Sequence, residues 1–147
     1  MKSEPDAYSI DSLRNDGVTL WDGIRNYQAR NFMRKMNIGD KVFFYHSNCK
    51  PPGIVGLMEV IDLNIVDPTQ FDRDSKYFDP KSKPNNPRWD CAKVKYISKS
   101  NKIISLSELK SLFNENELLV VKKGNRLSII PVQNHVAKII LEKIKNF

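Results

Sequence analysis

Trp21, Tyr27, Tyr45 and Trp89 draw attention first, because each has cationic or amide side chains close by in the chain: Arg25, Asn26, Arg30, Asn31, His46 and Arg88. Rings offer flat apolar faces, while guanidinium and amide groups offer donors and acceptors in fixed directions. That combination suits an extruded nucleobase, whose faces stack on rings while amides and a hydroxyl read its edge. Stacking of this kind contributes about 1–3 kcal/mol per base. Tryptophan and tyrosine are also ordinary core residues. Type and spacing therefore reach a base-binding domain and stop there, with a purely structural role for each ring still open.

Little else in the chain offers chemistry. Lys122-Lys123-Gly124-Asn125 lacks the spacing of a phosphate-binding loop, and no G-x-G-x-x-G occurs. Ser47 does not sit in a nucleophile elbow. His46 and His135 are the only histidines, and Cys49 beside His46 reads as a structural neighbour rather than a catalytic pair. Acidic residues are scattered, with neither H-E-x-x-H nor an EF-hand pattern, so no metal, cofactor or catalytic residue is expected. Cys49 and Cys91 are too few for a cysteine-rich zinc cage and read as reduced, buried or half-buried thiols.

The 147 residues suit one domain spanning 1–147, and the apolar share of 40% and charged share of 28% are ordinary for a globular protein. No apolar run approaches the ~20 residues of a membrane span. Met1-Lys2-Ser3-Glu4-Pro5 lacks the apolar stretch of a signal peptide, so a monomer in the cytoplasm, with the nucleoid as an alternative place there, and with no membrane partner is the expectation. Charge is divided unevenly. Residues 1–80 hold 10 Lys/Arg against 12 Asp/Glu, and residues 81–147 hold 14 against 5, for a net +7. A basic half fits a polyanionic partner, although basic composition is also common where no such partner exists.

These residues must be positioned by the elements around them. Ser9–Arg14 ahead of Asp16-Gly17 reads as a short helix, and Val18–Trp21 as a short strand. Ala29, Phe32, Met33 and Met36 follow helical spacing within a helix over about 26–36, leaving Tyr27, Arg30, Asn31 and Arg34 on its opposite face. Lys41–His46 and Ile54–Val66 read as strands, the latter with Gly56 at a bulge or close approach. Residues 67–87 carry four prolines in a long excursion whose aromatics Phe71, Tyr77 and Phe78 argue for packing. Trp89–Ile97 resumes strand character, and Ser105-Leu106-Ser107-Glu108 is a capping box opening a helix to about Phe113. Leu118–Val121 and Leu127–Ile130 read as two further strands, and a last helix starting near Asn134 puts Val136, Ile140 and Ile144 on its core stripe. The sum is a mixed α+β or barrel-like domain of five or six strands with short peripheral helices.

Several of these stretches are familiar. Lys2-Ser3-Glu4-Pro5, Thr19-Leu20-Trp21-Asp22-Gly23-Ile24-Arg25-Asn26-Tyr27-Gln28-Ala29-Arg30-Asn31, Phe44-Tyr45-His46-Ser47 and Pro51-Pro52-Gly53-Ile54-Val55-Gly56 strongly resemble the EVE domain. So do Asp67-Pro68-Thr69, Tyr77–Ser82, Pro87-Arg88-Trp89 and Lys123–Ser128, so that the resemblance runs to about Val132. It implies a PUA-like fold, a twisted β-barrel with peripheral helices, related to the YTH readers of methylated adenine. It further implies a non-catalytic module that reads a modified base, above all modified cytosine in DNA, with modified RNA as the alternative polymer. Members usually carry a few apolar residues before the Lys-Ser-Glu-Pro motif; here Met1 takes their place, which implies either a mis-assigned start or a shortened first strand.

By the same resemblance, the base pocket draws on Ser3, Glu4, Trp21, Asn26, Tyr27, Arg30, Asn31, Tyr45, His46, Ser47 and Trp89. Ser3 would contact the base edge, and Trp21 and Trp89 would face each other as cage walls. Arg25, Arg88, Lys122, Lys123 and Arg126 would hold phosphates. A buried methyl group contributes about 0.8 kcal/mol, about a fourfold preference at 1.4 kcal/mol per tenfold. Polar atoms must therefore reject wrong bases, since an unpaired buried donor costs about 1–3 kcal/mol; Ser3, Asn26 and Asn31 are the candidates. Two other readings remain: an RNA-processing or RNA-modification-associated enzyme of PUA-like type, and a protein-interaction module.

Overall fold

Helix and strand signals in this chain coincide with identifiable caps, and the elements follow them closely. The computed structural model describes residues 1–145. Five strands form one sheet among the described residues: β1 (Lys2–Ser3), β2 (Val18–Trp21), β3 (Lys41–His46), β4 (Gly53–Val66) and β5 (Asp90–Ser105). Their order is β1-β3-β4-β5-β2, with β1 parallel to β3 and the other neighbours antiparallel. β4 and β5 are long, and four register shifts between them mark bulges, which bend and twist a ladder. β1 and β2 are the two edges and do not pair with each other, so the expected barrel is an open sheet with one unclosed side.

Among the described residues four helices surround it: α1 (Ile10–Asp16), α2 (Tyr27–Arg34), α3 (Leu106–Leu112) and α4 (Asn134–Lys145). Ser9 caps α1 in a reciprocal box with Ser12, and Gly17 at φ 76° ends it. Asn26 caps α2 by accepting from Ala29 N–H, and Ser105 caps α3 by accepting from Glu108 N–H. The stripe expected on α2 is real: Ala29 and Met33 are buried, and Phe32 and Met36 pack against the same cluster with Trp21, Phe44, Val60 and Val94. A second cluster, of Ile54, Ile104, Leu109, Val136 and Ile140, lies under α3 and α4. At Gly56 a Cβ would meet the Ser98 carbonyl oxygen at 2.5 Å, and the β3–β4 and β4–β5 registers shift beside it, so it is both close approach and bulge.

Two expected strands are absent. Leu119–Val121 forms a 3-10 turn, and the stretch from Leu127 to Ile130 makes no ladder. Both runs are apolar because they are buried: Val121 joins the second cluster, while Ile129 is 1% exposed in the first. A short apolar run signals burial and does not by itself specify a strand. One remnant survives, since Lys2 N–H donates to the Ser128 carbonyl at 2.8 Å.

Candidate functional site

Where β1 and β2 fail to close the sheet, the molecule has a cleft of about 910 Å³, within the usual size of a small-molecule site. β1 and the residue after it supply Lys2, Ser3 and Glu4; the end of β2 supplies Thr19, Leu20 and Trp21; Asn125, Arg126 and Ser128, from the segment bonded to β1, complete the lining. The walls are held from behind. Tyr45 N–H donates to Met1 C=O and Ser47 N–H to Ser3 C=O, both at 3.0 Å, which fixes β1 against β3. Ser3 Oγ donates to the Tyr8 carbonyl at 2.7 Å, and Asn48 Nδ2 lies 3.4 Å from Glu4 Oε1.

The turn leaving β2 is fixed on both sides. Trp21 pairs with Ala92 in the ladder, and Gly23 N–H donates to Asp67 Oδ2 at 2.9 Å. Gly23 has φ 77°, and a Cβ there would meet the Tyr77 ring at 2.6 Å, so only glycine fits. Asp67 is fully buried and takes its charge partner from Arg25, whose Nη1 donates to Oδ2 at 2.9 Å. Arg25 also donates to the Tyr77 carbonyl and to Thr69 Oγ1. Burial alone would raise the Asp67 carboxyl, but bonds from Thr69, Gly23 and Arg25 outweigh it and hold it below the usual carboxylate range. Asp22, exposed at the cleft wall, goes the other way: its carboxyl is raised by partial desolvation and then by the neighbouring Asp67 charge, against the pull of Arg25 and of a backbone hydrogen bond within Asp22 itself.

Trp89 does not face Trp21 across the cleft. Trp21 packs edge-on against Phe44 at 5.3 Å between centroids, whereas Trp89 stacks on Tyr27 at 4.8 Å and 22°. Trp89 is 4% exposed and lines no part of the cleft. Its Nε1–H donates to Asp79 at 2.7 Å, holding that carboxyl below its usual range, and the Arg25 guanidinium lies 5.4 Å from its ring. The expected slot between two indoles is thus replaced by a layered support, with Arg25 between the Tyr77 and Trp89 rings and Tyr27 outside. The cause is Gln70: fully buried, it gives Nε2–H to the Asp67 and Trp89 carbonyls and accepts from Ser82 Oγ and from the Arg88 and Trp89 N–H groups. Those bonds pull Trp89 inward with the long loop.

Of the residues expected in the pocket, Ser3, Glu4, Trp21 and Ser47 do meet in the cleft, and Arg126 joins them. The others lie elsewhere. Asn26 is a helix cap, and Asn31 Oδ1 accepts from Arg30. Arg30 Nη1 donates to the Arg88 carbonyl and Arg34 pairs with Asp90, so this face of α2 touches residues 88–90 while Tyr27, Asn31 and Arg34 remain exposed to solvent. Tyr45 is buried in the second cluster, where desolvation pushes its hydroxyl up to about 12. His46 Nε2 accepts from Ile10 N–H, and burial lowers its pKa. Arg88 reaches Asp79, while Lys122 and Lys123 are exposed beside the 3-10 turn. Cys91 is buried and inert, its thiol pushed up to about 12 by burial, and Cys49 approaches Pro51 C=O and not His46. Among the described residues no three His, Cys, Asp or Glu side chains converge as metal ligands.

Spacing missed Asp22, Lys76, Tyr77, Asn125 and Ser128, all of which line the cleft. Asp22 carried a readable signal, since it follows a buried strand residue and precedes a turn glycine. Tyr77 had a weaker one, an aromatic in a loop too apolar for disorder. Asn125 and Ser128 had none, because no local pattern says which loop lies over a sheet edge.

The EVE domain family profile matches residues 1–143. The chain belongs to the EVE family. This EVE domain is 41% identical over 150 residues to thymocyte nuclear protein 1 of Homo sapiens, covering 90% of the chain and 67% of that relative. Rat and zebrafish relatives of the same name are longer, and the chain spans 54% and 56% of them. A crystal structure of protein PSPTO5229 from Pseudomonas syringae matches with TM-score 0.94 and 41% identity, over 98% of this chain and 97% of that one. Human THYN1 protein, solved in complex with 5-methylcytosine-containing DNA, matches with TM-score 0.91 and 38% identity, over 99% and 95%. Those likenesses agree with the PUA-like reading of this EVE domain. No helix among its described residues is long and apolar enough to cross a membrane.

Proposed function

We propose that this chain is a non-catalytic reader of modified cytosine in DNA, which takes the extruded base into the cleft between β1 and β2. The observation that carries the reading is the cleft itself: Trp21 in its wall and cationic Lys76 and Arg126 in its lining, within a chain that superposes on a protein solved with 5-methylcytosine-containing DNA. Apolar wall and hydroxyl groups of Ser3 and Ser47 suit a base with a methyl group, while the cations suit the phosphates on either side. Arg126, with exposed Lys122 and Lys123 next to it, supplies the phosphate contacts. Trp89, Tyr27, Arg30, Arg88 and Arg25 act from behind the cleft as its support. Tyr45, His46, Asn26 and Asn31 hold the elements and not the ligand. A DNA partner places the protein with the genome, which in a cell without a nucleus means the cytoplasm and its nucleoid.

The test is binding of the purified protein to otherwise identical duplexes carrying cytosine, 5-methylcytosine, 5-hydroxymethylcytosine or N6-methyladenine, together with Trp21→Phe. Preference for a modified cytosine that Trp21→Phe weakens is the expected result. Equal affinity for all four duplexes would end the proposal.

A further inference from the structure

We propose that the Asp22 carboxylate accepts a hydrogen bond from the 4-amino group of the bound cytosine and is the group that separates 5-methylcytosine from thymine. This rests on the cytosine-reading proposal and adds to it the side chain that recognises the base.

Three observations place Asp22 in that role. First, its backbone is preorganised between two anchors, the Trp21–Ala92 ladder pair and the Gly23 N–H bond to Asp67, with Tyr77 packed under the turn. Second, it forms no ion pair among the described residues, although a cation is close by. Arg25 is committed to Asp67, Thr69 and the Tyr77 carbonyl. Other polar groups of the cleft are also engaged: Ser3 with the Tyr8 carbonyl, Glu4 with Asn48, and Asn125 with Leu127 N–H. Third, desolvation and the Asp67 charge act against its ionised form, a cost that an arriving N–H donor would relieve. A solvent-open carboxylate that lines the cleft and forms no ion pair among the described residues is placed to meet a ligand.

Chemistry then selects the ligand atom. A carboxylate only accepts, so it repels phosphate oxygens and keto groups and takes an N–H. Cytosine presents a donor at N4, which Asp accepts well; thymine presents the acceptor O4 at the same place. Thymine carries the same 5-methyl group as 5-methylcytosine, so the apolar wall cannot tell the two apart. Only the group facing the base edge can.

The experiment compares DNA duplexes with 5-methylcytosine, thymine or 5-methyl-2-pyrimidinone at one position opposite an abasic site, so that base pairing does not enter. The pyrimidinone lacks the 4-amino group without adding bulk, which tests the contact on unaltered protein. The wild-type chain is expected to bind 5-methylcytosine about tenfold more tightly than either analogue. Asp22→Asn, whose amide can turn an N–H toward O4, is expected to bind thymine as well as 5-methylcytosine, and Asp22→Ala to lose the preference by weakening 5-methylcytosine binding. Undiminished wild-type binding to the pyrimidinone, or full discrimination retained in both variants, would overturn the role of Asp22 while leaving the cytosine reader intact. Wild-type protein that binds duplexes with cytosine, 5-methylcytosine, 5-hydroxymethylcytosine and N6-methyladenine equally would remove the reader proposal and this one together.

Discussion

The Tyr77 ring occupies the space into which any side chain at Gly23 would project, at 2.6 Å from the position of a Cβ. Those two residues are 54 apart in sequence, yet their contact sets the turn that carries Asp22 into the cleft. Gly23→Ala therefore meets two obstacles, a positive φ and an aromatic ring that is itself tied down through its carbonyl to Arg25. It should destabilise the fold by about 1–3 kcal/mol and weaken DNA binding beyond that loss. Gly124→Ala, with φ 77° but open space around it, should show the smaller backbone cost alone. Chemical denaturation of the two variants checks the contrast.

Asp67 should govern acid stability. Its folded carboxyl titrates below the usual carboxylate range, so its ionised form contributes stability that is fully present above about pH 4. That contribution is lost as pH falls through the folded value, because the buried Arg25 pair and the Gly23 and Thr69 bonds need the charge. Asp67→Asn should leave Arg25 without its buried partner and cost about 3–5 kcal/mol. Its unfolding free energy, measured from pH 3 to 6, should also vary less with pH than that of the wild type. An unchanged pH slope would show that another carboxylate dominates.

Trp89 and Trp21 should separate by readout. Trp89→Ala removes a buried indole, its bond to Asp79 and the stack on Tyr27, at a cost of about 3–5 kcal/mol. Trp89→Phe keeps most of the stack and should retain most DNA affinity, since Trp89 lines no part of the cleft. Trp21→Phe keeps the packing on Phe44 but reshapes the wall, and should lose affinity with a smaller change in melting temperature. Thermal unfolding and binding titrations on the same preparations decide between them.

Salt should report which cations touch phosphate. Arg126→Ala and Lys76→Ala, each at the cleft, are expected to lower the slope of log affinity against log salt by about 1 apiece. Arg34→Ala, whose charge is already paired with Asp90, should leave the slope unchanged. A slope equal to that of the wild type in all three variants would move the phosphate contacts to another face.

Much of this protein was legible along the chain, wherever the signal was local. Ser9, Asn26 and Ser105 announce their helices because a cap acts within three residues. The α2 stripe is visible because helical period alone fixes which side chains share a face, and the long EVE-like motifs identify the family. What spacing could not decide was which distant segments meet. Leu127–Ile130 is apolar enough for a strand, but only the assembled sheet shows that it lies beside β1 with a single ladder-like bond. Trp21 and Trp89 look equivalent as letters, and both are buried; the buried Gln70, bonding to a loop 18–19 residues away, holds Trp89 in its stack on Tyr27, whereas Trp21 packs on Phe44 and lines the cleft. Asp22 becomes informative only when Arg25 is seen to spend its charge on Asp67. Local order follows from short-range sterics and hydrogen bonds, whereas a site depends on long-range packing that no single stretch of sequence contains.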